Sequence, residues 1–151
     1  MKVGVTGAGG LLGTTLVPLW RAAGAEVIGW TRRDLDVTDP EAVRAALRAV
    51  RPDVVIHAAA WTDVDGAEVH ADEAMRVNRY GTAAVAAAGD ECGATVVYVS
   101  TDYVFDGLAK APMPPNRVPG PLGAYARSKV AGEAALQAAA APWVVVRTGW
   151  V

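Results

Sequence analysis

Short β-branched apolar runs alternate with longer alanine-rich runs along this chain. Lys2–Thr6 predicts a first strand, and Leu11–Ala23 predicts a helix with Leu12, Leu16, Leu19 and Trp20 at helical spacing on one face. Gly24 stands where helices commonly end. Glu26–Thr31 predicts a second strand. Thr38-Asp39-Pro40-Glu41 predicts a helix start, with Thr38 as the cap, Pro40 in the first turn and Glu41 three positions after Thr38. That helix should run to about Val50 and stop before Pro52. Asp53–Ala58 predicts a third strand, apolar enough to be buried on both faces. A long helix is expected from Glu68 to about Cys92, then a fourth strand over Thr95–Ser100. A loop rich in proline and glycine spans Gly107–Gly123, a helix Ala124–Ala140 and a fifth strand Trp143–Thr148.

Strands joined by helical crossovers of this length pair in parallel, with right-handed connections. The expected fold is α/β: a doubly wound, three-layer αβα arrangement with a Rossmann-like parallel sheet in the order 3-2-1-4-5. Residues 1–151 read as one dinucleotide-binding domain. The chain stops just after the fifth strand, so the last strand of such a sheet and any substrate-covering portion are expected to be absent from it.

Composition narrows the function. The 151 residues are 52% hydrophobic and 20% charged, with a formal charge of -2. No basic surplus points to nucleic acid or to an acidic membrane face. The lone Cys92 excludes an internal disulfide and fits a reducing compartment. The first apolar run is too short for a secretory signal, and no apolar run is long enough to cross a bilayer. A cytoplasmic domain is the expectation. His57, His70 and Cys92 have no metal-ligand spacing, so no zinc site is expected. His57, ending a strand, reads as a loop or crevice-lining side chain, and Cys92 as a packing residue. Trp20 and Trp143 read as core, whereas Trp61 and Trp150 follow strand ends from which a ligand is within reach.

Gly7-Ala8-Gly9-Gly10-Leu11-Leu12-Gly13 joins the first strand to the first helix. Glycines at 7, 10 and 13 permit a sharp turn, close approach of backbone to a pyrophosphate, and close packing of helix on sheet. The helix N-terminus then offers free N–H groups to the phosphates. At the first turn of a βαβ unit, this spacing favours dinucleotide binding over a ligand-free turn. After the second strand, Thr31, Arg32 and Arg33 stand where an NAD enzyme usually places a carboxylate. Arginine suits a 2′-phosphate, so NADPH is favoured, with NADH as the alternative and with Asp34 and Asp36 close by.

Tyr125 and Lys129 lie four residues apart, on one helix face. A lysine beside a phenol lowers its pKa and equips it for proton transfer near neutrality. Ser100 and Thr101, ending the fourth strand, are placed to hydrogen-bond a carbonyl oxygen beside Tyr125. The glycine loop, the Ser/Thr pair and Tyr-x-x-x-Lys together resemble the extended short-chain dehydrogenase/reductases. Within them, Ser100-Thr101-Asp102-Tyr103-Val104-Phe105-Asp106-Gly107 is similar to the dTDP-4-dehydrorhamnose reductases, as are Arg51–Ile56, Val64–Glu68 and Lys129–Glu133. The resemblance covers nearly the whole chain.

The resemblance implies an NADPH-dependent oxidoreductase that reduces the 4-keto group of dTDP-4-dehydro-L-rhamnose to dTDP-L-rhamnose. It assigns Gly10, Leu11 and Leu12 to the cofactor loop beside Gly7. Asp36 and Val37 fall on the adenine side with Arg32, and Ala58, Ala59 and Ala60 along the cofactor. Thr101, Tyr125 and Lys129 match the catalytic triad. Tyr125 would protonate the ketone oxygen, Lys129 would bind the nicotinamide ribose and Thr101 would polarise the carbonyl. Asp102 and Trp150 match positions that touch the nucleotide-linked sugar. His57, Gly123 and Ala126 depart from the family's Asn, Asn and Gly. The implied partners are a nucleotide-sugar substrate and, as a possible assembly, a homodimer; nucleic acid and membrane are not implied. The alternatives are a dinucleotide-binding regulatory subunit, or a domain-only product that binds cofactor without turnover. The 151-residue chain alone is expected to turn over slowly or not at all.

Overall fold

The computed structural model describes residues 1–149. Strand β1 (Lys2–Thr6) leads through the glycine loop to helix α1 (Leu11–Ala22), and β2 (Glu26–Trp30) to α2 (Pro40–Val50). Strand β3 (Val54–His57) is followed by the short helices α3 (Val64–Val69) and α4 (Ala71–Met75), a π-helical segment (Arg76–Gly81) and α5 (Thr82–Cys92). Then come β4 (Thr95–Thr101), a 3-10 turn (Asp102–Val104), α6 (Ala124–Gln137) and β5 (Trp143–Thr148). The five expected strands are present and every strand pair is parallel.

The doubly wound α/β architecture holds, but the strand order needs correction. The sheet runs β2-β1-β3-β4-β5, not 3-2-1-4-5. Strand β3 pairs with β1, Val3 facing Val54 and Thr6 facing His57, instead of lying outside β2. The reason is hydrophobic. Val55, Ile56 and His57 are buried, which suits a strand flanked on both sides and not an edge. Winding therefore reverses between β1 and β3, and that is where such sheets open a crevice beyond the carboxyl ends of their strands.

On one face of the sheet, α2, α5 and α6 pack Val43, Leu47, Val85 and Leu136 against Val55, Val96 and Tyr98. On the other face, Leu16, Val17 and Trp20 of α1 pack against Val3, Val5, Val27 and Ile56. Trp143 is not core: it is 41% exposed on the edge strand β5, with Val144 and Val146 also exposed. Trp20 and Cys92 pack against the core as expected.

Two local readings also change. Asp39, not Thr38, caps α2: its carboxylate accepts the N–H groups of Glu41 (3.0 Å) and Ala42 (3.1 Å). Thr38 is engaged elsewhere, donating to Asp36 (2.8 Å). The long helix expected from Glu68 to Cys92 is interrupted. Asp63 caps α3 by accepting the Gly66 N–H (2.9 Å), the chain bends at His70, and the π-helical segment carries Asn78 inward, 1% exposed. A π-bulge of this kind marks a place where side-chain placement overrides regular helix. Among the described residues, no helix is long and apolar enough to cross a membrane.

Candidate functional site

A cleft of about 990 Å³ opens at the carboxyl ends of the strands. It brings together Gly7, Gly10, Leu11 and Leu12 from the glycine loop, and Arg32, Asp36 and Val37 from the segment after β2. Ala58, Ala59 and Ala60 after β3, and Thr101, Asp102, Tyr125 and Lys129 from β4 and α6, complete it. Trp150 lies outside the described residues.

The loop is shaped by its glycines. Gly7 has φ +71°, and a Cβ there would lie 2.6 Å from the backbone nitrogen of Ala59, so loop and β3 turn meet backbone to backbone. A Cβ on Gly13 would lie 2.3 Å from the Gly7 carbonyl oxygen, which keeps α1 close to β1. Gly10 is different: a Cβ there would meet only the Gly7 oxygen, at 3.3 Å, and otherwise open cleft. Gly10 is also the N-cap of α1, with no side-chain cap and no acidic residue in the first turn. The helix N-terminus thus presents unpartnered N–H groups and its positive dipole end to the cleft, which fits a pyrophosphate.

At the end of β2 the neighbouring carboxylates are already engaged. Asp34 accepts the N–H (2.9 Å) and hydroxyl (2.7 Å) of Thr31, and Asp36 accepts the N–H (2.9 Å) and hydroxyl (2.8 Å) of Thr38. Those hydrogen bonds hold both carboxyls below their ordinary pKa. Arg32 and Arg33 line the cleft beside them. No carboxylate ion pair engages either guanidinium among the described residues.

Tyr125 sits in the first turn of α6 and Lys129 one turn on. Burial pushes the Tyr125 phenol above its ordinary pKa, an effect that the Thr101 hydroxyl beside it partly offsets. The expected depression of that pKa by Lys129 is not what the structure has. The Lys129 ammonium turns inward, donating to the Val99 carbonyl (2.7 Å) and lying 4.1 Å from the Tyr98 ring centroid. Burial pushes its pKa down to about 7, against the nearby Glu133 carboxylate, which pulls it up.

His57 does not line the cleft. It is fully buried, and desolvation, with the Lys129 charge nearby, pushes its pKa down to about 3, so it is neutral and no base. Its tautomer follows from its partners. The Thr82 hydroxyl donates to the Asn78 carbonyl (2.6 Å) and therefore accepts from Nε2–H (3.2 Å), leaving Nδ1 to accept from the Thr6 hydroxyl (2.7 Å).

Several residues were not singled out from sequence. Asn78 grips the Trp61 backbone at both ends, accepting its N–H (2.9 Å) and donating to its carbonyl (3.1 Å), and also donates to Ser128 (2.8 Å). It thereby ties the turn after β3 to the helix that carries Tyr125 and Lys129. The sequence around it, Arg76-Val77-Asn78-Arg79-Tyr80, is polar and gives no local signal that singles it out. Glu133, 2% exposed, accepts from Ser100 (2.6 Å) and takes Arg147 bidentately (2.9 and 2.7 Å). Arg147 in turn donates to the Pro115 carbonyl (3.0 Å), fastening the proline-rich loop.

The family model described as RmlD substrate binding domain matches residues 1–151. A dTDP-4-dehydrorhamnose reductase of Mycobacterium tuberculosis is 44% identical over 151 residues, covering 97% of this chain and 49% of that protein. A dTDP-4-keto-6-deoxy-D-glucose reductase of Streptomyces niveus is 41% identical over 148 residues, covering 97% and 51%. The crystal structure of the Bacillus anthracis dTDP-4-dehydrorhamnose reductase in complex with NADP superposes with a TM-score of 0.96 at 36% identity, covering 99% of this chain and 53% of that one. The chain spans about half the length of the curated relatives that it matches.

Proposed function

We propose a function for a chain that belongs to the RmlD substrate binding domain family: it is the cofactor-binding part of an NADPH-dependent reductase of a dTDP-linked 4-keto-6-deoxy sugar, with dTDP-4-dehydro-L-rhamnose as substrate. The observation that carries this reading is the single cleft in which the glycine loop, Arg32, Thr101, Tyr125 and Lys129 converge at the β1/β3 reversal. The names of the relatives support the reductase class, and a relative crystallised with NADP supports the cofactor.

NADPH would supply the hydride. The glycine loop and the α1 N-terminus would hold its pyrophosphate, and Arg32 or Arg33 its 2′-phosphate. Tyr125 would hand its phenolic proton to the ketone oxygen as that oxygen gains charge. Its raised pKa keeps the proton in place until then. Thr101 would donate to the same oxygen, and Asp102 would meet the sugar. Lys129 would leave the Val99 carbonyl for the nicotinamide ribose hydroxyls.

Substrate positioning supplies much of such a barrier and draws on remote groups, here the base and diphosphate. In this reading those groups bind largely in the half of the relatives' length that this chain does not span. The test follows loss of NADPH absorbance on adding the sugar nucleotide. The 151-residue chain should bind NADPH with little turnover. A chain that also carries the remaining half should turn over, and should lose activity as Tyr125→Phe while keeping its NADPH affinity. Full activity of the 151-residue chain overturns the division of labour. An active Tyr125→Phe overturns the proton donor.

A further inference from the structure

We infer that Glu68 is a positioning residue for Tyr125, capping the N-terminus of α6 from a different helix. Helix α6 begins at Ala124, and its N-cap, Gly123, has no side chain with which to satisfy the free N–H groups of the first turn. The cap comes from α3 instead: the Glu68 carboxylate accepts the Ala124 N–H at 2.6 Å, across 56 residues of sequence. Gly123 makes room for this, since a Cβ there would lie 2.8 Å from the same carboxylate oxygen. The negative charge also suits the positive end of the α6 dipole.

What the cap holds is the site. Tyr125 follows Ala124 directly and packs, with Trp61, on the small cluster of Ala67, Ala74 and Ala124. Ala67 adjoins Glu68, so apolar contact and hydrogen bond act together between α3 and α6. The segment that leaves β3, lines the cleft through Ala58–Ala60 and enters α3 thus grips α6 at its first residue. Glu68 does not line the cleft itself, so its action runs through the placement of the first turns of α6, which carry Tyr125 and the proposed ribose ligand Lys129. The cap stands on the geometry above; its consequence for Tyr125 rests on the proposed function.

The first readout needs no cofactor. In an isotope-labelled 151-residue chain, the hydrogen-bonded Ala124 amide should be protected from exchange with solvent, and that protection should be lost in Glu68→Ala and partly kept in Glu68→Gln. An Ala124 amide that exchanges freely in the wild type, or that stays equally protected in Glu68→Ala, overturns the cap.

The second readout is the NADPH dissociation constant. Glu68→Ala should weaken binding by up to about tenfold, the ceiling set by the free energy of a lost helix cap, because the loosened first turns of α6 no longer hold Lys129 at the proposed ribose site. Glu68→Gln, which keeps an acceptor, should weaken it less. Adding Gly123→Asn to Glu68→Ala should recover most of the loss by capping from within α6, whereas Gly123→Asn alone should bring no gain, because its side chain meets the carboxylate. A folded Glu68→Ala with wild-type affinity, or a double variant with no recovery, overturns the positioning role. If Glu68→Ala does not fold, the Gln variant and its Ala124 protection decide. A wild-type chain that binds no NADPH overturns the proposed function and leaves the cap to be judged on Ala124.

Discussion

Substituting Gly13 and Gly10 separates what the glycine loop does for the fold from what it does for a ligand. In Gly13→Ala the new methyl would lie 2.3 Å from the Gly7 oxygen, 2.6 Å from Ala8 Cα and 2.8 Å from the Ala8 carbonyl carbon. All three are backbone atoms, so nothing flexible can give way. Overpacking of this kind costs ~1–3 kcal/mol, and the upper end applies where backbone must move. For a chain of this size that lowers Tm by roughly 6–12 °C. In Gly10→Val the Cβ meets one atom, at 3.3 Å. The cost to the fold is at most ~1 kcal/mol, a few degrees, but the valine methyls extend into the space proposed for the pyrophosphate. The assay is thermal unfolding with and without NADPH. At about 100 times Kd, a ligand stabilises by ~2.7 kcal/mol, or roughly 5–10 °C here. The wild type should show that rise, and Gly10→Val should melt near the wild type with no rise. A Gly13→Ala that melts like the wild type refutes the packing argument. A Gly10→Val with the full NADPH shift refutes the placement of the pyrophosphate.

Two further predictions concern the buried charges. Lys129 has its pKa lowered from 10.5 to about 7, so between those values the unfolded chain binds the proton that the folded one lacks, and stability rises with pH. From about pH 7 to about pH 9.5 the Lys129 contribution to urea-unfolding stability should rise by up to ~3 kcal/mol. Lys129→Met should abolish that rise and be more stable near neutrality; a rise that persists in Lys129→Met contradicts the assignment. Glu133→Ala strands Arg147 and Ser100 and should cost about 3 kcal/mol in the same assay, whereas a loss under about 0.5 kcal/mol, typical of surface sites, would show the pair to be idle.

Much of the fold and site was legible in the sequence, because the signals were local. The βαβ alternation and the spacing of Gly7, Gly10 and Gly13 depend on neighbours in the chain. So does the pairing of Tyr125 with Lys129 on one helix face. Structure departs from local pattern where tertiary context decides. The order of strands depends on which edge β3 finds, although the apolar character of Val55 and Ile56 already favoured a central place over an edge. Lys129 turned out to face Val99 and Tyr98 and not the phenol of Tyr125, because a helix face holds several directions and the core below it chose one. Asn78, Glu133 and Glu68 act through partners 17, 33 and 56 residues away, and no local pattern names such partners. Thr38 looked like the cap of α2, yet Asp39 took the role once Asp36 had engaged the Thr38 hydroxyl.

The claim that the cleft is a nicotinamide dinucleotide site is tested most directly by calorimetric titration of the 151-residue chain with NADPH and, separately, NADH. Charge-assisted contacts to a phosphate are worth ~1.5–3 kcal/mol. With Asp34 and Asp36 held by threonines and Arg32 and Arg33 facing the cleft, the account predicts saturable binding of both. NADPH should bind roughly tenfold tighter or more, and that margin should collapse in Arg32→Ala/Arg33→Ala. No saturable binding of either dinucleotide to the folded chain would contradict it.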